Sequence, residues 1–263
     1  MLFEPPRTAY DLNFHFAGIP VRVHPFFWLA ALLLGSGSWG RGGDVNPDAA
    51  MQLVVWVVVM FVSILVHELG HSVLIRYFGQ VPRIVLYMMG GLAITDSFGS
   101  QFGGSSRRTP SSQILISLAG PGAGFLLAGF TVALIVAMGG EFQIDTSGFP
   151  FYAWDLPPET SRALQITVAL LLYFNIFWGI VNLLPVFPLD GGQVARELFQ
   201  MSDPRYGLIR SLWLSVITGA AVGVAGWYYL GSVLMPLFFG SLAVSSYMTI
   251  KQMTGGGYGG RPW

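Results

Sequence analysis

Met51-Gln52-Leu53-Val54-Val55-Trp56-Val57-Val58-Val59-Met60-Phe61-Val62-Ser63-Ile64-Leu65-Val66-His67-Glu68-Leu69-Gly70-His71 is the stretch whose reading decides the fold. No residue from Met51 to Leu65 is charged, and Val, Met, Phe and Trp dominate. A run of this length and apolarity reads as a membrane-spanning helix. On a helix His67 and His71 stand four apart and share one face, where two imidazoles can hold one zinc ion. Glu68 follows the first imidazole by one position, within reach of a water on that ion. A charged group at mid-bilayer costs about 3 kcal/mol on insertion scales, so two histidines and a carboxylate here imply chemistry.

Working outward, the composition agrees with a membrane protein. The chain has 263 residues, 53% hydrophobic and 10% charged, against roughly 25% charged in soluble domains. Its mean hydropathy is +0.61. A formal net charge of zero offers no field for nucleic acid, so no nucleic-acid partner is expected. There is no cysteine, which leaves His, Asp and Glu as the strong zinc ligands.

The pattern predicts an all-α multi-pass membrane protein with about six transmembrane helices and a short membrane-associated β-hairpin region. The expected spans are residues 25–39, 51–78, 113–138, 162–184, 209–230 and 231–250. Residues 1–253 read as a single integral-membrane domain and 254–263 as a flexible Gly-rich tail. Asn13 to Val23 alternates and breaks at Gly18-Ile19-Pro20, which predicts a surface hairpin. Ile84 to Thr95 predicts a second hairpin turning at Gly90-Gly91. Gly139 to Ser161 reads as an acidic loop, and Gln193 to Gln200 as a short amphipathic helix. His15 and His24 are interfacial polar residues more readily than metal ligands. With the N- and C-termini cytoplasmic, only Arg41 and Arg162 of the 13 basic residues fall outside.

Two imidazoles leave a tetrahedral zinc wanting a further protein ligand and an open position. Asp190 is the leading candidate: it ends the broken segment Leu183-Leu184-Pro185-Val186-Phe187-Pro188-Leu189-Asp190-Gly191-Gly192 among apolar neighbours. Glu68 then serves as general base and acid. Asn182 either donates to a tetrahedral oxyanion or bonds a helix backbone, and the residues alone leave both open.

His67-Glu68-Leu69-Gly70-His71 together with Asn182 to Gly192 resembles the site-2 protease family of intramembrane zinc metalloproteases. Gly18 to Pro25 and Ala119-Gly120-Pro121 lie where that family has similar segments. The resemblance implies cleavage of a peptide bond in or beside a transmembrane segment of a membrane-protein substrate within the lipid bilayer, after an upstream site-1-type protease has trimmed it. It makes His67, His71 and Asp190 zinc ligands and Glu68 the catalytic acid/base, and it sets Asn182 on the family's asparagine. It also implies that the Leu86 to Ile94 hairpin holds unwound substrate by strand addition. Gly124 departs from the family's usual asparagine, and no PDZ or CBS domain is legible. The compact, cysteine-free chain points to a prokaryotic cell membrane. Two other readings use the same residues: a metal-binding or metal-transport membrane protein, and an inactive zinc-binding relative. A transporter needs a polar path that the other spans do not supply. An inactive relative has no use for Glu68.

Overall fold

The structure is a computed structural model that describes residues 5–36, 48–88, 90–95, 109–145 and 152–255. In chain order these form β1 (Leu12–Phe16), β2 (Ile19–Val23), α1 (Pro25–Ser36), α2 (Ala49–Tyr77), β3 (Pro82–Tyr87), β4 (Gly90–Thr95) and α3 (Pro110–Ala137). There follow β5 (Glu141–Ile144), β6 (Tyr152–Asp155), α4 (Arg162–Asn182), α5 (Asp190–Ser202), α6 (Gly207–Leu230) and α7 (Leu234–Gly255).

Four of the helices, α2, α3, α4 and α6, are long and apolar enough to cross a membrane. At 1.5 Å per residue the 29 residues of α2 extend about 43 Å, beyond the roughly 30 Å hydrocarbon core. Their outward faces are apolar: Val54, Val58 and Val73 on α2 and Ile217 and Val224 on α6 are exposed. A water-soluble helix would carry charge there. Of the six expected spans, the first and last differ in kind from these four. α1 has 12 residues, and α7, with 22, is diluted by Ser241, Ser245, Ser246 and Lys251. The expected tail at 254–263 begins inside α7, and residues 256–263 lie outside the described residues.

The described chain divides into two compact units. The first holds β1 through β4, α1, α2, α3 from Ala119 onward, β5, β6 and α4 as far as Ile180. Its four-stranded sheet runs β1-β2-β3-β4. β1 and β2 are antiparallel around a two-residue turn, Phe16 facing Ile19. Ala17 (φ 49°) and Gly18 (φ 76°) both take the left-handed conformation that such a turn demands. Arg76, in the last turn of α2, donates to the Ala17 carbonyl over 3.1 Å and ties down the hairpin tip. β2 and β3 pair in parallel, Val21 with Ile84 and Val23 with Leu86. The two expected hairpins are therefore halves of one sheet. That sheet buries Ile19, Val21, Val23, Ile84 and Leu86 against Phe27 and Ala31 of α1 and Met60, Ile64 and Leu65 of α2. On its far side Arg22 pairs with Asp11 at 3.2 Å and donates to the Pro5 carbonyl at 2.9 Å.

The second hairpin turns before the two glycines expected to make its turn: Tyr87 faces Gly90 and Leu86 faces Gly91, so both glycines lie within β4. The interval read as an acidic loop contains a further hairpin: β5 and β6 pair Phe142 with Trp154. Its aromatic residues cover Ile135 of α3 and Val168 and Leu172 of α4. Four acidic residues obscured the alternation of Phe142 and Ile144 with Tyr152 and Trp154.

The second unit holds the first turns of α3, the end of α4 from Val181, and α5, α6 and α7. α6 ends at Gly231 (φ 59°), whose N–H bonds the Trp227 carbonyl, a left-handed cap that turns the chain at once into α7.

Candidate active site

The helical repeat of α2 sets Ser63, His67 and His71 in one row, and three of its chemical groups converge. The Nε2 atoms of His67 and His71 stand 3.1 Å apart, their rings 4.8 Å between centroids and crossed at 80°. His67, Glu68 and His71 offer ligand atoms that all lie within 4.8 Å of one another. Glu68 and His71 are buried, at 5% and 7% exposure, and His67 is half-buried. Two nitrogens each about 2.0–2.1 Å from one tetrahedral ion stand a little over 3 Å apart, so the pair fits zinc.

The surroundings of the pair fit it as well. α3 passes directly alongside because Gly70 and Gly120 lack side chains. A Cβ at Gly70 would collide with the Ala119 carbonyl and lie 2.8 Å from the Ala123 Cβ. A Cβ at Gly120 would collide with the His71 ring and lie 2.8 Å from His67 Nε2. Hydrogen at position 120 thus keeps clear the cradle in front of both Nε2 atoms. The run Ala119-Gly120-Pro121-Gly122-Ala123-Gly124 is small enough for close helix approach; the tertiary fold shows that the contact lies at the imidazoles.

On another side stands β4. A Cβ at Gly91 would collide with the Glu68 side chain and lie 2.6 Å from Oε1. Among the described residues β4 pairs only with β3, and at Gly91 it passes beside Glu68.

One turn before His67, Ser63 Oγ accepts from Asn175 Nδ2 at 2.9 Å; the same amide donates to the Leu171 carbonyl at 2.8 Å. Asn175 sits in a π-type turn of α4, residues Tyr173–Phe177, and is 2% exposed. The wider turn aims the amide across to α2. Its neighbour on α3 is Gly124, where a Cβ would stand 3.5 Å from Asn175 Oδ1. In the sequence Asn175 is a polar residue inside an apolar span, and only the tertiary fold brings it to Ser63.

His24 is structural. Its Nδ1 accepts from the Phe26 N–H at 3.1 Å, opening α1, and its ring lies edge-on to Tyr87. His15 is exposed on β1.

Asp190 and Asn182 belong to the second unit. Asn182 closes α4, half-buried. Asp190 opens α5 and is 8% exposed; it begins one helix rather than ending another. A carboxylate in the first turn suits the positive end of the helix dipole. The loop ahead of it is tightly folded: Leu189 N–H bonds the Val186 carbonyl at 2.8 Å, and Phe187 N–H bonds Ser215 Oγ at 3.0 Å. A Cβ at Gly191 would collide with the Leu183 carbonyl, so bare glycine lets the first turn of α5 nest under residues 183–187. The Phe187–Pro188 peptide is cis.

Apolar helices long enough to cross a bilayer, one of them bearing two imidazoles beside a carboxylate, define the class: a membrane-type chain with a candidate metal site inside an apolar helix. The chain belongs to peptidase family M50, whose profile matches residues 55–222. It is 27% identical over 241 residues to a zinc metalloprotease of Methanocaldococcus jannaschii, covering 91% of this chain and 56% of that protein. It is also 27% identical over 210 residues to stage IV sporulation protein FB of Bacillus subtilis, covering 78% and 58%. The chain thus spans a little over half the length of these curated relatives. Its fold matches the site-2 protease structure from Methanocaldococcus jannaschii with a TM-score of 0.50 at 22% identity, over 97% of this chain and all of that one.

Proposed function

We propose that this protein is an intramembrane zinc peptidase that hydrolyses a peptide bond in or beside a transmembrane segment of another membrane protein. The observation that carries the reading is the 3.1 Å approach of His67 and His71 Nε2 with the buried Glu68 beside them. His67 and His71, joined by Asp190, hold the ion. Zinc supplies Lewis acidity, acidifying water and polarising the scissile carbonyl. Glu68 takes the proton of the attacking water on a carboxylate oxygen and returns it to the leaving amine nitrogen. The Asn182 amide donates to the oxygen that gains charge. The edge of β4 away from β3 pairs with the substrate backbone once a few residues of it are unwound, bringing an extended peptide past Glu68. Membership in a peptidase family weighs for hydrolysis over metal transport.

A helical substrate hides its carbonyls in hydrogen bonds, so cleavage favours substrates with helix-breaking residues near the cut. We take residues 1–253 as one working domain with six crossings and both termini cytoplasmic. The sheet supports the first crossing. β2 and β3 are neighbours, hence on one side of the membrane, and α2 between them crosses once. On this reading the chain between β2 and α2 makes the first crossing. An upstream protease that shortens the substrate outside the membrane would act first.

The test is cleavage of a single-pass substrate by purified protein in detergent or vesicles. Glu68→Gln should reduce the rate by about 10²- to 10⁴-fold while zinc content is kept. A chelator should abolish cleavage, and added zinc should restore it. Cleavage that survives Glu68→Gln overturns the mechanism.

A further inference from the structure

The contact between β4 and Glu68 has a meaning beyond packing. Glu68 is on the helix and Gly91 on the strand, and the strand backbone occupies the space into which the Glu68 side chain would otherwise swing. A Cβ at Gly91 would collide with Cγ and Cδ and stand 2.6 Å from Oε1. At the adjacent Gly90 a Cβ would meet nothing within 4 Å. The requirement for a bare backbone is therefore confined to one residue of the pair. Gly91 faces Leu86 across the ladder, and Leu86 is fully buried in the core formed with α1 and α2. The strand at this point is backed by that packed core.

We propose that Gly91 is a positioning residue for Glu68: the backbone of β4 at this glycine is the wall that fixes the carboxylate's rotamer. The strand proposed to receive the substrate backbone is thereby the same element that holds the acid/base in place. This inference rests on the reading of Glu68 as the acid/base, and the experiment separates the two.

Gly91→Ala and Gly90→Ala are made in the full-length protein and in a Glu68→Ala background. Thermal stability is measured without regard to activity, and zinc content and cleavage kinetics are measured on the Glu68 forms. Gly91→Ala should lower the Tm by roughly 3–10 °C with Glu68 present, in keeping with overpacking at a buried site. With the side chain gone in Glu68→Ala, the same substitution should shift it by less than about a third as much. Gly90→Ala should shift the Tm equally in both backgrounds, which controls for the loss of glycine's freedom in the unfolded chain. Zinc stoichiometry in Gly91→Ala should match the parent protein, and its kcat should fall at least 10-fold with KM within about twofold. An equal Tm shift in both backgrounds, or an unchanged kcat in Gly91→Ala, overturns the positioning role. Cleavage by Glu68→Gln overturns the functional reading itself, whatever the stability cycle shows.

Discussion

At the scale of single residues, the pair of imidazoles was legible and the glycines that serve it were not. His67 and His71 announce themselves because helical spacing converts a separation of four into a shared face. Gly120 and Gly91 carry no such periodic mark; each matters because a different element comes within van der Waals reach of α2. Gly120→Ala should push a methyl group into the cradle before the two Nε2 atoms. We expect zinc affinity to fall about 10- to 100-fold, the range seen when groups supporting metal ligands are altered. Competition titration with a chromogenic chelator measures this directly. Gly122→Ala, where a Cβ meets open space, should leave affinity unchanged. The chain break before Asp190 was legible from its prolines and glycines, but not that Asp190 opens α5, because the turn at 186–189 is fixed by contacts such as Ser215 to Phe187 from far along the chain.

Among the elements, α2, α3 and α6 were read to within a few residues because apolar length alone specifies them. The strands were harder. The N-terminal hairpin was visible as alternation, yet its parallel pairing with β3 joins residues about 60 apart, and no local pattern encodes that. β5 and β6 hid among acidic residues. The outer hairpin also carries a buried ion pair whose pH dependence can be stated. Burial of Asp11 works against its charged form. Bonds from the Thr8 hydroxyl and backbone N–H, with Arg22 and His24 nearby, outweigh burial and hold its carboxyl below the usual carboxylate range. A depressed folded-state pKa means the stabilisation is present above the unfolded value and lost as pH falls through the folded one. The stability difference between the parent protein and Asp11→Asn should therefore be constant from about pH 5 to 7 and shrink toward zero below about pH 4. Thermal melts in detergent across that range check it.

For the whole molecule, the membrane class follows from composition and the metal chemistry from one helix, whereas the number of crossings does not follow from hydropathy alone. α1, with 12 residues, is shorter than a bilayer crossing needs, and its place in the proposed topology rests on the pairing of β2 with β3. Because the chain lacks cysteine, single cysteines report topology without background. In sealed vesicles of known orientation, Thr8→Cys and Lys251→Cys should react with a membrane-impermeant maleimide from the same side, and Asp155→Cys from the opposite one. Reaction of Thr8→Cys and Asp155→Cys from a common side would refute six crossings.

The parallel register of β2 and β3 also dictates a sequence of events during biosynthesis. Antiparallel β1 and β2 can zip together as soon as they are made. On the proposed topology, the inner seam of the sheet must wait until both intervening hydrophobic segments have been threaded through the bilayer and the second has returned its end to the starting face. Until that return, Val21 and Val23 have no β-neighbour on that flank, so a lesion that delays insertion of α2 would leave a sticky half-sheet at the membrane surface before any catalytic group is in place.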